Sequence, residues 1–335
     1  MKRYGNLTAS IADPDNLMLA YWKARKGKEG KAEVRQYVAS LQGNISALQR
    51  QIEQGRVECG NYRIFTIFDP KERQICAAPF PQRVLHHALM NVCGPIFDKW
   101  QIFDSYASQK GKGTYAALER AKMFHKRYAY CVKMDVRKFF DSIHHPTLKG
   151  QLARLFKDWQ VVNAFYDIID SYCVQPDRGL PIGNLTSQYF ANHYLASLDH
   201  YAKEELKVGG YVRYMDDILI YGDDRERLRE QASLMRKYVE ERLQLQFKVV
   251  DLRPTSKCTQ FLGYRISREA MLLSHRSQRR YVLRMKEYFS EYHSGHWSQE
   301  VLQRHLSPLI AFASKAQSYR LRQKTLRGIE EVLTV

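Results

Sequence analysis

Tyr211-Val212-Arg213-Tyr214-Met215-Asp216-Asp217-Ile218-Leu219-Ile220-Tyr221 is the stretch on which the fold turns. Two apolar runs of strand character flank Met215-Asp216-Asp217, so the pattern reads as strand, tight turn, strand, with adjacent carboxylates at the apex. A carboxylate beside a hydrophobic core is costly unless something compensates it. A plain turn aspartate is the simpler alternative, but a turn does not require two acids inside an apolar hairpin. A second acid sits in a similar place: Tyr130-Cys131-Val132-Lys133-Met134-Asp135 is an apolar strand ending in a carboxylate, followed by Val136-Arg137-Lys138-Phe139-Phe140-Asp141. Strand-end acids brought together repel unless cations bridge them. Oxygen-rich sites of that kind suit Mg²⁺, and paired ions can activate an attacking hydroxyl and steady a leaving pyrophosphate.

The rest of the chain agrees with a polyanionic partner. Its 335 residues are 44% hydrophobic and 26% charged, enough for two or three packed subdomains and too apolar for disorder. Lys and Arg number 53 against 35 Asp and Glu, a net charge of +18 that favours nucleic acid or an anionic membrane face. No apolar run approaches the roughly 20 residues of a spanning helix, and the first residues show no signal core or lipidation pattern. A membrane role is therefore not expected. Six dispersed cysteines without a C-x-x-C pair fit a reducing cytosol and argue against a zinc site and a disulfide scaffold.

Periodicity predicts the elements around the two acidic clusters. Val34, Val38, Leu41, Ile45, Leu48 and Ile52 mark an amphipathic helix stopped by Gly55 and interrupted at Gly43-Asn44. The basic stretch Lys23 to Lys28 before it is either a solvated surface or a phosphate contact. Tyr62–Phe68 and Arg73–Ala77 read as a hairpin around the turn Asp69-Pro70-Lys71-Glu72. A helix through Val84, Leu85, Ala88, Leu89 and Val92 is expected to end near Gly94-Pro95, with His86 and His87 diverging on it and so sharing no metal. Gly111-Lys112-Gly113-Thr114 lacks the spacing of a phosphate-binding P-loop. Helices are expected over 186–206 and 224–243, strands over 245–250 and 261–266, and a basic helical module beyond Leu273. The class is α+β, with a separate helical C-terminal module.

Tyr214-Met215-Asp216-Asp217 matches the Y-x-D-D box of reverse transcriptases, and Met134 to Asp141 resembles their first catalytic box. Arg73-Gln74-Ile75, Gln82 to Leu89, Pro95-Ile96-Phe97 and Ser105-Tyr106 resemble their finger blocks, and Phe261-Leu262-Gly263-Tyr264 their primer grip. These boxes run in register from about residue 60 to 270. The resemblance implies a right-hand polymerase fold: fingers with an N-terminal extension over 1–125, a palm with an antiparallel sheet over 126–270 carrying a finger insertion at about 145–182, and a helical thumb over 271–335. It implies RNA-directed DNA synthesis in the cytoplasm, on a template RNA with a cDNA or primer strand and deoxynucleotides. Asp135, Asp216 and the Val136 carbonyl would ligate two Mg²⁺ ions, for which Mn²⁺ can substitute. Asp217 would be catalytic but less certain as a direct ligand. Phe140, beside Phe139, would exclude a 2′-hydroxyl, with core packing as its plain alternative. Arg73 and, more weakly, Lys71 would clamp the triphosphate. Lys248 and Lys257 are candidates to protonate pyrophosphate, though phosphate contact or solvation suits either.

The stretch Gly179-Leu180-Pro181-Ile182-Gly183-Asn184-Leu185-Thr186-Ser187-Gln188 narrows the subgroup. Many reverse transcriptases have Q-G-x-x-x-S-P here. The Ile182-Gly183…Ser187-Gln188 form resembles the enzymes of diversity-generating retroelements, which implies copying of a template-repeat RNA with errors at adenines. A Gln beside the incoming nucleotide can hydrogen-bond it, whereas Ile182 cannot, and a lost contact of this kind lowers discrimination about tenfold. Only a compact helical thumb is expected after the primer grip, and the resemblance implies a small, basic, oligomeric accessory variability protein as a partner. Two readings compete: an antiphage-defence or retron-type reverse transcriptase, and a nucleic-acid-binding protein on an inactive polymerase fold.

Overall fold

The computed structural model describes residues 3–68 and 72–333, so Lys71 of the predicted hairpin turn lies outside the described residues. In chain order the helices α1 (Thr8–Ala12), α2 (Pro14–Arg25), α3 (Ala32–Ala39) and α4 (Leu41–Glu53) precede a hairpin of β1 (Arg63–Phe68) and β2 (Glu72–Ala77). Helices α5 (Phe80–Trp100) and α6 (Thr114–Arg127) lead to β3 (Tyr130–Val136), followed by α7 (Phe139–Ser142), α8 (His145–Leu155), α9 (Trp159–Asp170) and α10 (Leu185–His200). A π-helical turn over Tyr201–Glu205 extends α10. Next come β4 (Gly210–Tyr214), β5 (Asp217–Gly222), α11 (Arg225–Arg242), β6 (Phe247–Pro254), β7 (Thr259–Phe261), β8 (Tyr264–Ile266) and β9 (Met271–Leu273). The helices α12 (His275–His293), α13 (Gln299–Ser314) and α14 (Tyr319–Leu333) complete the order. The mixed α+β expectation is met, with every resolved hairpin antiparallel.

The chain divides into two compact units, residues 1–110, 135–207 and 233–249 in one and residues 111–134, 208–232 and 250–335 in the other. The core of the first is aromatic. Phe97 lies 5.3–6.2 Å, ring centroid to centroid, from Phe156, Phe165, Tyr189, Phe190 and His193. That packing explains a departure from the sequence reading. Pro95 does not end its helix; α5 runs on to Trp100 with Pro95 inside it. A proline in a helix interior costs about 3 kcal/mol, and the burial of Cys93, Gly94, Ile96 and Phe97 on one helix offsets that cost. Gly94 leaves room for Tyr189, whose hydroxyl would lie 3.2 Å from an added Cβ. The expected break in the Val34–Ile52 pattern is also displaced. The helix is interrupted at Ser40 (φ −128°, ψ 38°), whereas Gly43-Asn44 sits inside α4, where the Asn44 side chain donates to the Tyr37 carbonyl. Gly55, at φ +62°, supplies the stop as predicted.

The second unit carries most of a four-stranded sheet of order β4-β5-β3-β6. Gly210 is required there, because a Cβ would come within 2.9 Å of Tyr128 and Tyr221. The predicted strand 261–266 is instead a hairpin. Leu262 (φ +48°) and Gly263 (φ +86°) form a two-residue turn, and Phe261 pairs with Tyr264. A leucine in the left-handed region is uncommon, so Leu262 carries no turn signal of its own. The strand expected at 245–250 begins later, at Phe247, and extends to Pro254, and β9 was not anticipated. No helix among the described residues is long and apolar enough to cross a membrane, and all six cysteines are free thiols.

Three buried histidines make stability depend on pH. Burial pushes His125 and His193 to about 4, and burial followed by the neighbouring His87 and Arg83 pushes His86 to about 3. In the unfolded chain each imidazole protonates near 6.5. Between those values the unfolded state holds more protons, so stability falls as pH drops from about 6.5 toward 4, by up to about 1.4 kcal/mol per histidine per pH unit. The urea midpoint is expected to fall steeply between pH 7 and 5, and less steeply in His193→Gln; an equal slope in the variant contradicts the assignment.

Candidate active site

From Val132 onward β3 alternates as a half-buried strand should: Val132, Met134 and Val136 are buried while Lys133 and Asp135 are partly exposed. Lys133 and Asp135 are two residues apart and share a face. Past the strand, Lys138 takes a left-handed conformation (φ 44°, ψ 51°) that turns the chain into the single-turn helix α7. Two hydrogen bonds hold the corner, from Ser142 Oγ to the Arg137 carbonyl (3.1 Å) and from the Ser142 amide to the Lys138 carbonyl (3.0 Å). Phe139 is buried, Phe140 half-buried, and their rings lie 5.7 Å apart at 69°.

In the first unit, the 179–183 loop is fastened on both sides. The Leu180 amide donates to the Phe140 carbonyl (2.8 Å) and the Gly179 amide to the Ile143 carbonyl (3.0 Å). On its other side the Ile182 carbonyl accepts from the Cys76 amide of β2 (2.8 Å). Gly183, at φ +119°, allows this approach, since an added Cβ would lie 3.0 Å from Ile75 Cγ2. Phe140, Ile182 and the strand bearing Arg73 are thus joined by main-chain bonds. Arg73 is exposed on β2, opposite Ile67. Gln188, in the first turn of α10, is exposed and accepts a hydrogen bond from Ser108 Oγ (3.2 Å).

The start of α10 holds groups the sequence reading passed over. Asn184 Nδ2, Thr186 Oγ1 and Ser187 Oγ are buried, and none has a hydrogen-bond partner among the described residues. Buried orphan donors at a helix N-terminus suit an anion or ordered water. The signal was the polar run Asn-Leu-Thr-Ser itself, directly after Gly183.

In the second unit, Met215 (φ +53°) and Asp216 form the turn between Tyr214 and Asp217, which pair across β4 and β5. Arg213, wholly buried, donates to the Met215 carbonyl (3.2 Å) and braces the turn from within. Thr114 Oγ1 donates to the Tyr214 hydroxyl (3.2 Å). Lys133 Nζ lies 3.3 and 3.4 Å from the two Asp217 carboxylate oxygens and also donates to the Gln260 carbonyl of β7 (2.8 Å). Lys133 was missed by the sequence reading, although its register with Asp135 marked it. The following hairpin is set by its glycine: the Gly263 carbonyl accepts from the Ser274 amide (2.9 Å) and Ser277 Oγ (2.7 Å), and the Tyr264 hydroxyl donates to the Phe312 carbonyl (2.7 Å). Phe261 and Tyr264 are buried, so Leu262 and Gly263 are the parts of this segment open to a ligand.

No group of three or more His, Cys, Asp or Glu side chains among the described residues is arranged to hold a metal ion. Any ion here therefore draws on fewer protein side chains, supplemented by carbonyls, water and substrate. Lys248 and Lys257 are exposed on β6 and after it.

The fastening of the 179–183 loop is testable. Gly183→Ala is expected to lower stability by about 1–3 kcal/mol and to speed hydrogen exchange at the Cys76 amide. Gly43→Ala, inside α4 with open space around it, is expected to be neutral or stabilising by roughly 0.5–1 kcal/mol. Unchanged exchange at Cys76 in Gly183→Ala contradicts the account.

Residues 62–266, more than half of the chain, match the profile described as "Reverse transcriptase (RNA-dependent DNA polymerase)". Among curated proteins, the Putative COX1/OXI3 intron 1 protein of Saccharomyces cerevisiae is 21% identical over 216 residues, covering 61% of this chain and 26% of the yeast protein. The Retron Ec73 reverse transcriptase of Escherichia coli is 29% identical over 150 residues, covering 41% of this chain and 45% of that protein. The chain thus spans less than half the length of either relative. Among solved structures, telomerase from Candida albicans in complex with a TWJ fragment of telomeric RNA superposes with a TM-score of 0.49 at 11% identity, over 85% of this chain and 58% of that one. Apo telomerase from Candida tropicalis, truncated from its C-terminal domain, gives 0.48 at 13% identity, over 65% and 56%. The chain belongs to the reverse transcriptase (RNA-dependent DNA polymerase) family.

Proposed function

We propose that this chain is an RNA-directed DNA polymerase that adds deoxynucleotides to a primer on an RNA template. The observation that carries the proposal is the β4–β5 turn. It displays Asp216 and Asp217 between strands whose remaining residues are almost all buried, held by a left-handed Met215 and a buried Arg213. A fold gains nothing in stability from such a turn, so its use lies in the carboxylates. Asp135 is the penultimate residue of β3, and β3 is the neighbour of β5 in the sheet order.

The donor set fits magnesium. Asp135, Asp216 and the Val136 carbonyl offer hard oxygen ligands, and the few protein carboxylates leave positions for water and triphosphate oxygens, as Mg²⁺ prefers. Asp217 is already engaged by Lys133, so its role is to balance charge beside the site. When bound, the ions would activate the primer hydroxyl and offset charge on the departing pyrophosphate. The chain's own residues do the rest. Arg73 neutralises the triphosphate, assisted by Lys71. Gln188, exposed in the first turn of α10, orients the nucleotide. Phe140, beside the buried Phe139, closes the space that a 2′-hydroxyl would need. The hairpin Phe261-Leu262-Gly263-Tyr264 presents its Leu262-Gly263 turn to the primer strand. On this reading residues 1–125 are the extension and fingers, 126–270 the palm with an insertion at about 145–182, and 271–335 the thumb.

The finer reading is error-prone copying of a template-repeat RNA, with adenine-directed errors, in a diversity-generating retroelement. It is supported by Ile182, which brings an apolar side chain where a glutamine would hydrogen-bond. A basic accessory protein is the expected partner. The retron relative supports the alternative of a retron-type enzyme.

Two measurements separate these statements. Primer extension on an RNA template is expected with deoxynucleotides and not ribonucleotides, and Phe140→Ala is expected to admit ribonucleotides; failure of wild type to extend any RNA-templated primer contradicts the polymerase reading. Sequencing of cDNA is expected to show about tenfold fewer errors in Ile182→Gln. An unchanged error rate contradicts the fidelity account.

A further inference from the structure

The basic stretch Lys23-Ala24-Arg25-Lys26-Gly27-Lys28 lies outside residues 62–266 of the family match and takes no part in the site described above. Helix α2 ends at Arg25, and Gly27 (φ +70°) starts a loop of two consecutive turns. In these the Lys28 amide donates to the Arg25 carbonyl (2.8 Å) and the Lys31 amide to the Lys28 carbonyl (3.0 Å). The loop and α3 gather against α5. Lys23 Nζ donates to Asn91 Oδ1 (2.6 Å), and Arg83 pairs with Glu33 of α3 at 3.2 Å.

The charges around this point are mutually repulsive. Burial, then the Arg83 guanidinium and the Lys31 ammonium, hold Lys28 below the usual lysine range, against a weaker opposing effect of Glu33. Burial, then Lys23 and Lys28, push His87 down to about 4, so it stays neutral. Lys23 and Lys28 thus flank His87, Arg83, Lys31 and Glu33 lie around Lys28, and the loop's other acid, Glu29, accepts from the Gly27 amide (3.2 Å). An anion relieves such an arrangement. Beside it, Trp22 is 55% exposed and Leu19, one turn earlier, 48%. The Arg25 guanidinium lies 5.1 Å from the Trp22 ring centroid and donates to the Tyr21 hydroxyl (3.2 Å).

We propose that the α2–α3 loop and the Arg83 face of α5 form a docking site for single-stranded nucleic acid, in which Lys23, Lys28, Lys31 and Arg83 hold phosphates and Trp22 stacks on a base. A duplex keeps its bases stacked on each other, so an exposed indole next to a cation cluster selects a single strand. The proposal rests on and deepens the polymerase reading by naming residues, other than the catalytic carboxylates, that hold a strand. It does not need catalysis, so the two can fail separately.

The test is fluorescence anisotropy with labelled oligouridylate in EDTA without nucleotides, repeated with a single-stranded oligothymidylate and an RNA duplex. Trp22→Ala is expected to weaken single-strand binding about tenfold, and Trp22→Phe to restore most of it. Lys28→Gln with Lys31→Gln is expected to lower the slope of log affinity against log salt by about 1.4, near 0.7 per lost phosphate contact. Glu33→Gln, which releases Arg83, is expected to tighten binding, a result that a purely structural role would not give. Weaker binding of the uridylate alone assigns the site to RNA, and of both single strands to either. Unchanged affinity and salt slope in these variants, with a wild-type urea midpoint, overturns the proposal. So does an equal loss on the duplex.

Discussion

The Met215-Asp216 turn and the first residue of the strand after it place two adjacent carboxylates between strands with almost wholly buried interiors, and much of the surrounding structure makes that tolerable. Like charges next to each other on a hydrophobic hairpin raise each other's cost of ionisation. The molecule answers with a buried guanidinium under the turn and an ammonium at its side. Arg213 takes the Met215 carbonyl, which the left-handed residue has turned away from the strand ladder. Lys133 takes Asp217 and, through the Gln260 carbonyl, ties that acid to the strand leading into the Leu262-Gly263 turn. Both cations are costly in themselves, one wholly buried and the other about one-fifth exposed. Neither belongs in a sheet designed only to be stable.

A similar logic governs the other unit, in backbone rather than charge. The 179–183 loop has main-chain bonds to the corner after β3 and to β2. Hydrogen bonds to main chain fix position without depending on which side chains are present, so the side chains are released for specificity. Ile182 can therefore differ from a glutamine without loosening the loop, because its carbonyl does the fastening. Gly183 cannot vary so freely, since its positive φ strains any other residue and Ile75 leaves little room for a Cβ.

Where local chemistry decides the structure, the sequence was readable. The alternation of Tyr130–Val136, the apolar halves around Met215, the hairpin of Arg63–Ala77 and the Gly55 stop all follow from short-range rules. Misreadings came where tertiary packing overrides those rules. Pro95 is carried through α5 by the aromatic cluster around Phe97, and Leu262 is forced left-handed by a turn that docks on Ser277 and Phe312. The site was legible to the same extent. Its acids, arginine and aromatic residues stand in recognisable order, but the partnership of Lys133 with Asp217 and the orphan donors of Asn184, Thr186 and Ser187 depend on contacts between distant segments. The basic stretch at Lys23–Lys28 could be read as charge alone. Its convergence on α5 and the open face of Trp22 are matters of three dimensions.

The central claim is that Asp135 and Asp216 serve one nucleotidyl transfer while Asp217, balanced by Lys133, supports it. The most direct measurement is primer extension on an RNA template with Mg²⁺, comparing wild type, Asp135→Asn, Asp216→Asn and Asp217→Asn under conditions where each retains the wild-type urea midpoint. The account predicts that Asp135→Asn and Asp216→Asn each abolish extension, while Asp217→Asn slows it and leaves measurable product. Extension at wild-type rate by Asp216→Asn would contradict it.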